Sequence, residues 1–202
     1  MIYLYGANGH AKVVLEIAEK LSLSIGGLVD LNPDIQDLLG YPVSLEIPET
    51  FGNHFIISIG NNEIRKKIAE KLEVDFETLI HPKSILSTRV EIGKGTVVMA
   101  GVTVNSSAKV GNHVILNTNS SIDHDCVIED YVHVSPNVAI AGNVQVGKGT
   151  HVGIGASVIQ GIKIGRWCTI GAGSVIIKDV PDHATVVGNP GRIIKKSEIK
   201  ET

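Results

Sequence analysis

An α/β unit with a small parallel sheet, followed by an all-β parallel helix of short strands, is the architecture this sequence predicts. Three observations carry the prediction. Apolar spacing in the first half alternates between strand-like and helix-like stretches. From about residue 84 it changes to a period of six that never slips. Aromatic residues make up only 4% of the chain, whereas 22 of its 202 residues are glycine. That pairing suits a repetitive backbone better than an ordinary core.

In chain order, "IYLY" reads as a short buried strand, "GANGHA" as a turn and "KVVLEIAEKL" as a helix. Val13, Val14, Ile17, Ala18 and Leu21 share one helical face, with Lys12, Glu16, Glu19 and Lys20 facing away. "GGLVD" is a second strand ending at Asp30, and "HFIISIG" (54–60) a third. "NEIRKKIAEKL" then returns to helical spacing through Ile64, Ile68 and Leu72. This succession predicts a Rossmann-like βαβ domain over residues 1–80.

Residues 81–202 form the second unit. From Leu86 to Ile176 every sixth residue is aliphatic, sixteen positions in all, and the series two residues ahead, Val90 to Ser174, is small or aliphatic throughout. Side chains alternate faces along a strand, so each short strand sends such a pair inward. A six-residue unit cannot bury its apolar face alone, and stacked coils supply the core. Cys126 and Cys168 belong to the inner series, which makes them packing residues and not nucleophiles.

Charge is nearly balanced, with 18 basic and 21 acidic residues and a net charge of −3. No basic block is present of the kind a nucleic-acid surface needs. No apolar run approaches membrane-spanning length, and a soluble cytoplasmic protein is expected.

The six-residue grid also sorts the polar side chains. His133 lies between inward Val132 and Val134 and so points outward, where a neighbouring subunit could cover it. His151, one coil on, should stack above it at roughly 4.8 Å, the spacing of neighbouring strands. His124, two residues past inward Ile122, stands at a corner. Asn117 and Asp123 suit either sugar binding or corner hydrogen bonding, and Trp167 either stacking on a base or packing. "GANGHA" is a candidate phosphate loop, since glycines allow close approach and a helix N-terminus attracts anions. It lacks the full G-x-G-x-x-G fingerprint.

Further motifs carry a resemblance. "YGANGHAKVV", "SIGNNEIRKKI", "LIHPKSIL" and "ILNTNSSIDHDCVI" occur in this order, and "VVGNPGRIIKK" closes the repeat with Gly191 where alanine is common. The succession resembles the sugar O-/N-acyltransferase group of the left-handed β-helix (hexapeptide-repeat) acyltransferases. It looks closest to the bacillosamine-pathway UDP-4-amino-sugar N-acetyltransferases. The resemblance implies a left-handed β-helix and a homotrimer with active sites at subunit interfaces. It also implies acetyl-CoA as cosubstrate, no metal, and acetylation of the 4-amino group of a UDP-linked 4-amino-4,6-dideoxy sugar. The product would be of the UDP-N,N'-diacetylbacillosamine type. His124 matches the general base and Asp125 the residue that orients it, for direct attack in a ternary complex; the resembling enzymes often carry glutamate at the latter position. His133, Ile154 and Ala172 match acetyl-CoA contacts. Gly9, His10, Ala11, Asp30, Leu31 and Gly60 match nucleotide-sugar contacts. A sialic acid O-acetyltransferase would share the fold and the histidine without requiring UDP. A β-helical metal enzyme of the carbonic anhydrase type needs H-x4-H spacing, against intervals of nine and eighteen between His124, His133 and His151.

Overall fold

The computed structural model describes residues 1–48 and 52–196. The first part is built from β1 (Ile2–Tyr5), α1 (Gly9–Lys20), β2 (Ile25–Val29), β3 (Asp37–Leu38), β4 (Tyr41–Ser44), β5 (His54–Ile57), α2 (Asn62–Lys71) and β6 (Asp75–Phe76). Its sheet has the order β3-β4-β2-β1-β5-β6, and only the β3–β4 pair is antiparallel. β1 is central, with β2 on one side and β5 on the other, so the winding reverses there. In such sheets the crevice beyond the carboxyl ends of the strands at the reversal is where ligands bind.

α1 starts earlier than its apolar spacing suggests, so Gly9, His10 and Ala11 are its first turn and not a loop. Its buried stripe is Ala11, Val14, Leu15 and Ala18, the i, i+3, i+4, i+7 pattern, joined by Ile17. Val13 and Leu21 lie at the flanks, 38% and 36% exposed. β5 stops at Ile57, three residues short of the expected strand. There the Ser58 hydroxyl donates to the carbonyls of Tyr5 (3.1 Å) and Gly6 (2.7 Å), which ties the two strand ends together.

The second part begins with β7 (Leu79–Ile80) and continues through sixteen two-residue strands, from β8 (Ile85–Leu86) to β23 (Val175–Ile176). Strands eighteen residues apart pair in parallel, as at Ser121↔Ala139 and His133↔His151, and three sheets result. The first face runs from β7 to the closing hairpin of β24 (Ala184–Val187) and β25 (Arg192–Lys196) and has eight strands; the second has six and the third five. The expected inner series fills the prism: Val98, Leu116, Ile122, Val134 and Cys126 are all buried. Corners are turned by single residues at positive φ, often asparagine, as at Asn119, Asn137 and Asn143.

The two parts share one core. Leu79, Val97 and Ile115, the outward residues at the start of the first face, are buried in the same cluster as Leu4, Val14 and Leu15. The N-terminal part therefore sits on one face of the prism and leaves two faces bare. No described helix is long and apolar enough to cross a membrane.

Candidate active site

At the sheet reversal, β1 is followed by Gly6 with φ +109°, and a Cβ there would lie 2.5 Å from the Ile59 side chain. Only glycine satisfies both demands. The next residues enter α1, whose cap residue Asn8 makes no side-chain bond and whose first turn holds no acidic residue. That leaves early helix N–H groups and the positive end of the helix dipole facing the crevice. Asp30, at the end of β2, accepts the Ala7 N–H at 2.7 Å and the Asn32 N–H at 3.0 Å. It thereby shapes the loop that leads into α1 at Gly9, while neighbouring Leu31 is 72% exposed.

His10 projects from this turn toward the prism, its ring 6.2 Å from that of His133. Burial, with Arg65 nearby, lowers its pKa to about 4. Its Nε2 atom is buried without a partner. An orphaned polar atom beside the crevice is one that a ligand can satisfy. Gly60, just past β5, faces the same point.

His133 and His151 stack as the grid predicts, with ring centroids 4.8 Å apart and planes 7° from parallel. His133 does point out of the prism, but its own chain covers it: Nδ1 lies 3.3 Å from the Gly60 carbonyl and Nε2 3.2 Å from the Asn117 amide. That cover exists because the N-terminal part seats on this face. Burial lowers its pKa to about 3, so it is neutral at physiological pH. His151 bonds the Ser135 hydroxyl at 2.8 Å. A cleft of about 440 Å³ opens here, lined by Asn61, Glu63, His133, His151 and Trp167. Ile154, 52% exposed, and Ala172 stand on adjoining coils of the next corner, linked by the Gly173 N–H to Ile154 carbonyl bond at 2.8 Å.

His124 stands elsewhere, at the corner between β14 (Ser121–Ile122) and β15 (Val127–Ile128), where the second face meets the third. Its Nδ1 lies 2.7 Å from Asp125 Oδ2, so the shorter aspartate reaches. The Asp125 hydrogen bond, with the Asp123 charge behind it, raises the imidazole pKa above the ordinary histidine value. Asp123 is held in turn by the Asn105 amide and the His124 N–H, both at 2.8 Å. Within one chain, then, Gly9, His10, Gly60 and His133 converge, while His124 and Asp125 occupy a different edge of the prism.

Three residues of the site region carry no functional signal in their sequence motifs. Arg65 and Asn62 are the buried side chains of α2, whereas Ile64 is 48% exposed; residue type gave no sign of this. Gly142 lies one coil above His124, and a Cβ there would meet the imidazole at 2.7 Å. The eighteen-residue step from His124 was the available signal.

Residues 1–72 match the PglD N-terminal domain, and residues 143–178 match the bacterial transferase hexapeptide (six repeats). A mutant of perosamine N-acetyltransferase from Caulobacter crescentus, solved with CoA and GDP-perosamine, is 34% identical, with a TM-score of 0.92 and 96% of each chain covered. The chain belongs to the left-handed β-helix sugar N-acetyltransferases. The acetyltransferase domain of PglB from Neisseria gonorrhoeae FA1090, in complex with acetyl coenzyme A, is similar over 96% of this chain and 98% of that one, with 36% identity and a TM-score of 0.89. UDP-N-acetylbacillosamine N-acetyltransferase of Bacillus subtilis (strain 168) is 53% identical over 49 residues, a match that spans only 23% of this chain and 23% of that protein.

Proposed function

We propose that the protein transfers the acetyl group of acetyl-CoA to the 4-amino group of a UDP-linked 4-amino-4,6-dideoxy sugar. The observation that supports this most is the juxtaposition of an anion-attracting helix start, the orphaned His10 nitrogen and the His133–His151 cleft in a chain whose relatives bind CoA and nucleotide-linked amino sugars. In this reading Gly9, His10, Ala11, Asp30, Leu31 and Gly60 hold the nucleotide sugar. His133 and the exposed apolar corner at Ile154 and Ala172 hold the acetyl-pantetheine arm. The amine nitrogen attacks the thioester carbonyl, its proton passes to His124, and the C–S bond breaks to release CoA, whose sulfur recovers a proton. Asp125 orients the imidazole and stabilises its charged form. Neither cysteine forms an acyl intermediate, because both are buried in the prism.

His124 and His133 stand on different edges of one chain, which favours sites shared between subunits of a homotrimer. The second face offers the contact surface. Its outward residues Thr103, Ser121, Ala139 and Ser157 are uncharged, whereas the third face carries Glu91, Lys109 and Lys163. Acetyl-CoA and nucleotide sugars are cytoplasmic metabolites, and the protein belongs to that compartment in this reading. Named relatives act on amines, which favours N- over O-acetylation.

A thermal-shift comparison of UDP, GDP and CMP tests the nucleotide class. UDP is expected to raise the melting temperature most. A larger shift with GDP or CMP would move the base assignment to guanosine or cytidine, and no shift with any of the three would remove the nucleotide-sugar reading.

A further inference from the structure

Arg65 is 1% exposed, and no described carboxylate pairs with it. A buried cation without a counter-charge persists only if every N–H is satisfied. Here the fork is filled: Nε donates to the His113 carbonyl (2.8 Å), Nη1 to those of Ile59 (3.1 Å) and Gly60 (3.2 Å), and Nη2 to Tyr131 carbonyl (2.8 Å) and Asn62 Oδ1 (2.9 Å). Ile59 and Gly60 lie in the loop that follows β5 of the N-terminal sheet, while His113 and Tyr131 are successive rungs of one prism corner. Asn62 extends the seam, donating to the Gly149 carbonyl at 3.0 Å.

The Gly60 carbonyl held by Arg65 is also the partner of His133 Nδ1. On the far side of the ring, the Thr118 N–H donates to Asn117 Oδ1 at 2.8 Å, which turns the Asn117 NH2 toward His133 Nε2. An amide NH2 is a donor only, so Nε2 presents its lone pair and the ring proton resides on Nδ1, donated to Gly60. We propose that Arg65 is a positioning residue that pins the Gly60 carbonyl at the seam between the two parts and thereby fixes His133 as the neutral Nδ1–H tautomer. Both His133 nitrogens are then occupied, and the ring meets its ligand through its carbon edge and face. It forms a fixed wall of the cleft and takes no part in proton transfer, which leaves that role to His124. The consequence for acetyl-CoA rests on the reading of His133 as its contact; the tautomer itself does not.

The test is 15N NMR of the intact protein labelled in histidine imidazoles, with His133 assigned from a His133→Gln variant, alongside acetyl-CoA kinetics. Wild type is expected to show His133 protonated at Nδ1 and bare at Nε2. Arg65→Lys keeps the charge but cannot reach carbonyls on both sides of the seam. It should melt cooperatively, show mixed His133 tautomers and raise KM for acetyl-CoA several-fold. Arg65→Met is the harsher variant, and should it not fold, the lysine variant and wild type still decide the matter. An Nε2–H tautomer in wild type, or an unchanged Nδ1–H tautomer in Arg65→Lys, overturns the proposal. A shifted tautomer with unmoved KM overturns its link to the cosubstrate. The spectrum needs no turnover, so a failure of the acetyltransferase reading would be recognised separately, as absence of transfer in wild type.

Discussion

The imidazole of His124 owes its chemistry to two acids of unequal effect. Asp125 bonds it directly at 2.7 Å, and Asp123 acts through its charge; both raise its pKa. A general base must be neutral to accept a proton, so the acid limb of the rate profile should fall above the ordinary histidine range. Asp125→Asn removes the larger contribution. Its acid limb is expected to move to lower pH, and its high-pH plateau to drop because the ring is less basic and less well oriented. A kcat/KM profile across pH 5–9 checks this, and an unmoved limb would remove Asp125 from the account. Sequence spacing placed His124 outward correctly, but the reach of the aspartate depends on the corner turn, where Asp125 has φ +59°.

Among elements, the six-residue repeat was fully legible, because its inward positions face the same demand coil after coil and only small or aliphatic side chains meet it. The stacking of His151 above His133 follows from strand spacing alone. The helices were read less completely. α1 gains a turn because its buried stripe already begins at Ala11, inside a glycine-flanked stretch that reads as a turn. α2 shows the limit of amphipathic reading: its isoleucines suggest an apolar contact face, yet the seam is built from Asn62 and Arg65 bonded to backbone carbonyls, and such carbonyls leave no trace in sequence. Removing Arg65 would strand acceptors at a cost of about 1–3 kcal/mol each. Coil stacking also yields a prediction. Gly142 is not at positive φ, so alanine is acceptable to its backbone, but the added carbon would press on the His124 ring. Gly142→Ala should fold normally and bind acetyl-CoA normally, with kcat reduced by up to about 10²-fold through displacement of the base. Steady-state kinetics with a melting curve decide it, and wild-type kcat would show that the ring has room to move aside.

For the whole molecule, the N-terminal part covers one face of the prism, the third face carries charged outward residues, and the second face carries uncharged ones. In the proposed homotrimer the crevice at the sheet reversal and the His124 edge would meet between chains. Co-expression of His124→Ala and His133→Ala chains should restore activity that each impaired variant lacks alone, because random mixing makes about one quarter of shared sites intact. No recovery would mean that one chain supplies both histidines.

The proposed reaction is acetyl transfer to a nucleotide-linked amine with His124 as base. Release of CoA thiol in the presence of acetyl-CoA and a panel of UDP-, dTDP- and GDP-linked 4-amino sugars measures it directly. Release is expected with the UDP-linked amine, matched by an acetylated product, and a kcat about 10²- to 10⁴-fold lower in His124→Ala at unchanged acetyl-CoA affinity. Turnover of none of these amines by the wild-type protein, or wild-type turnover in the alanine variant, would contradict it.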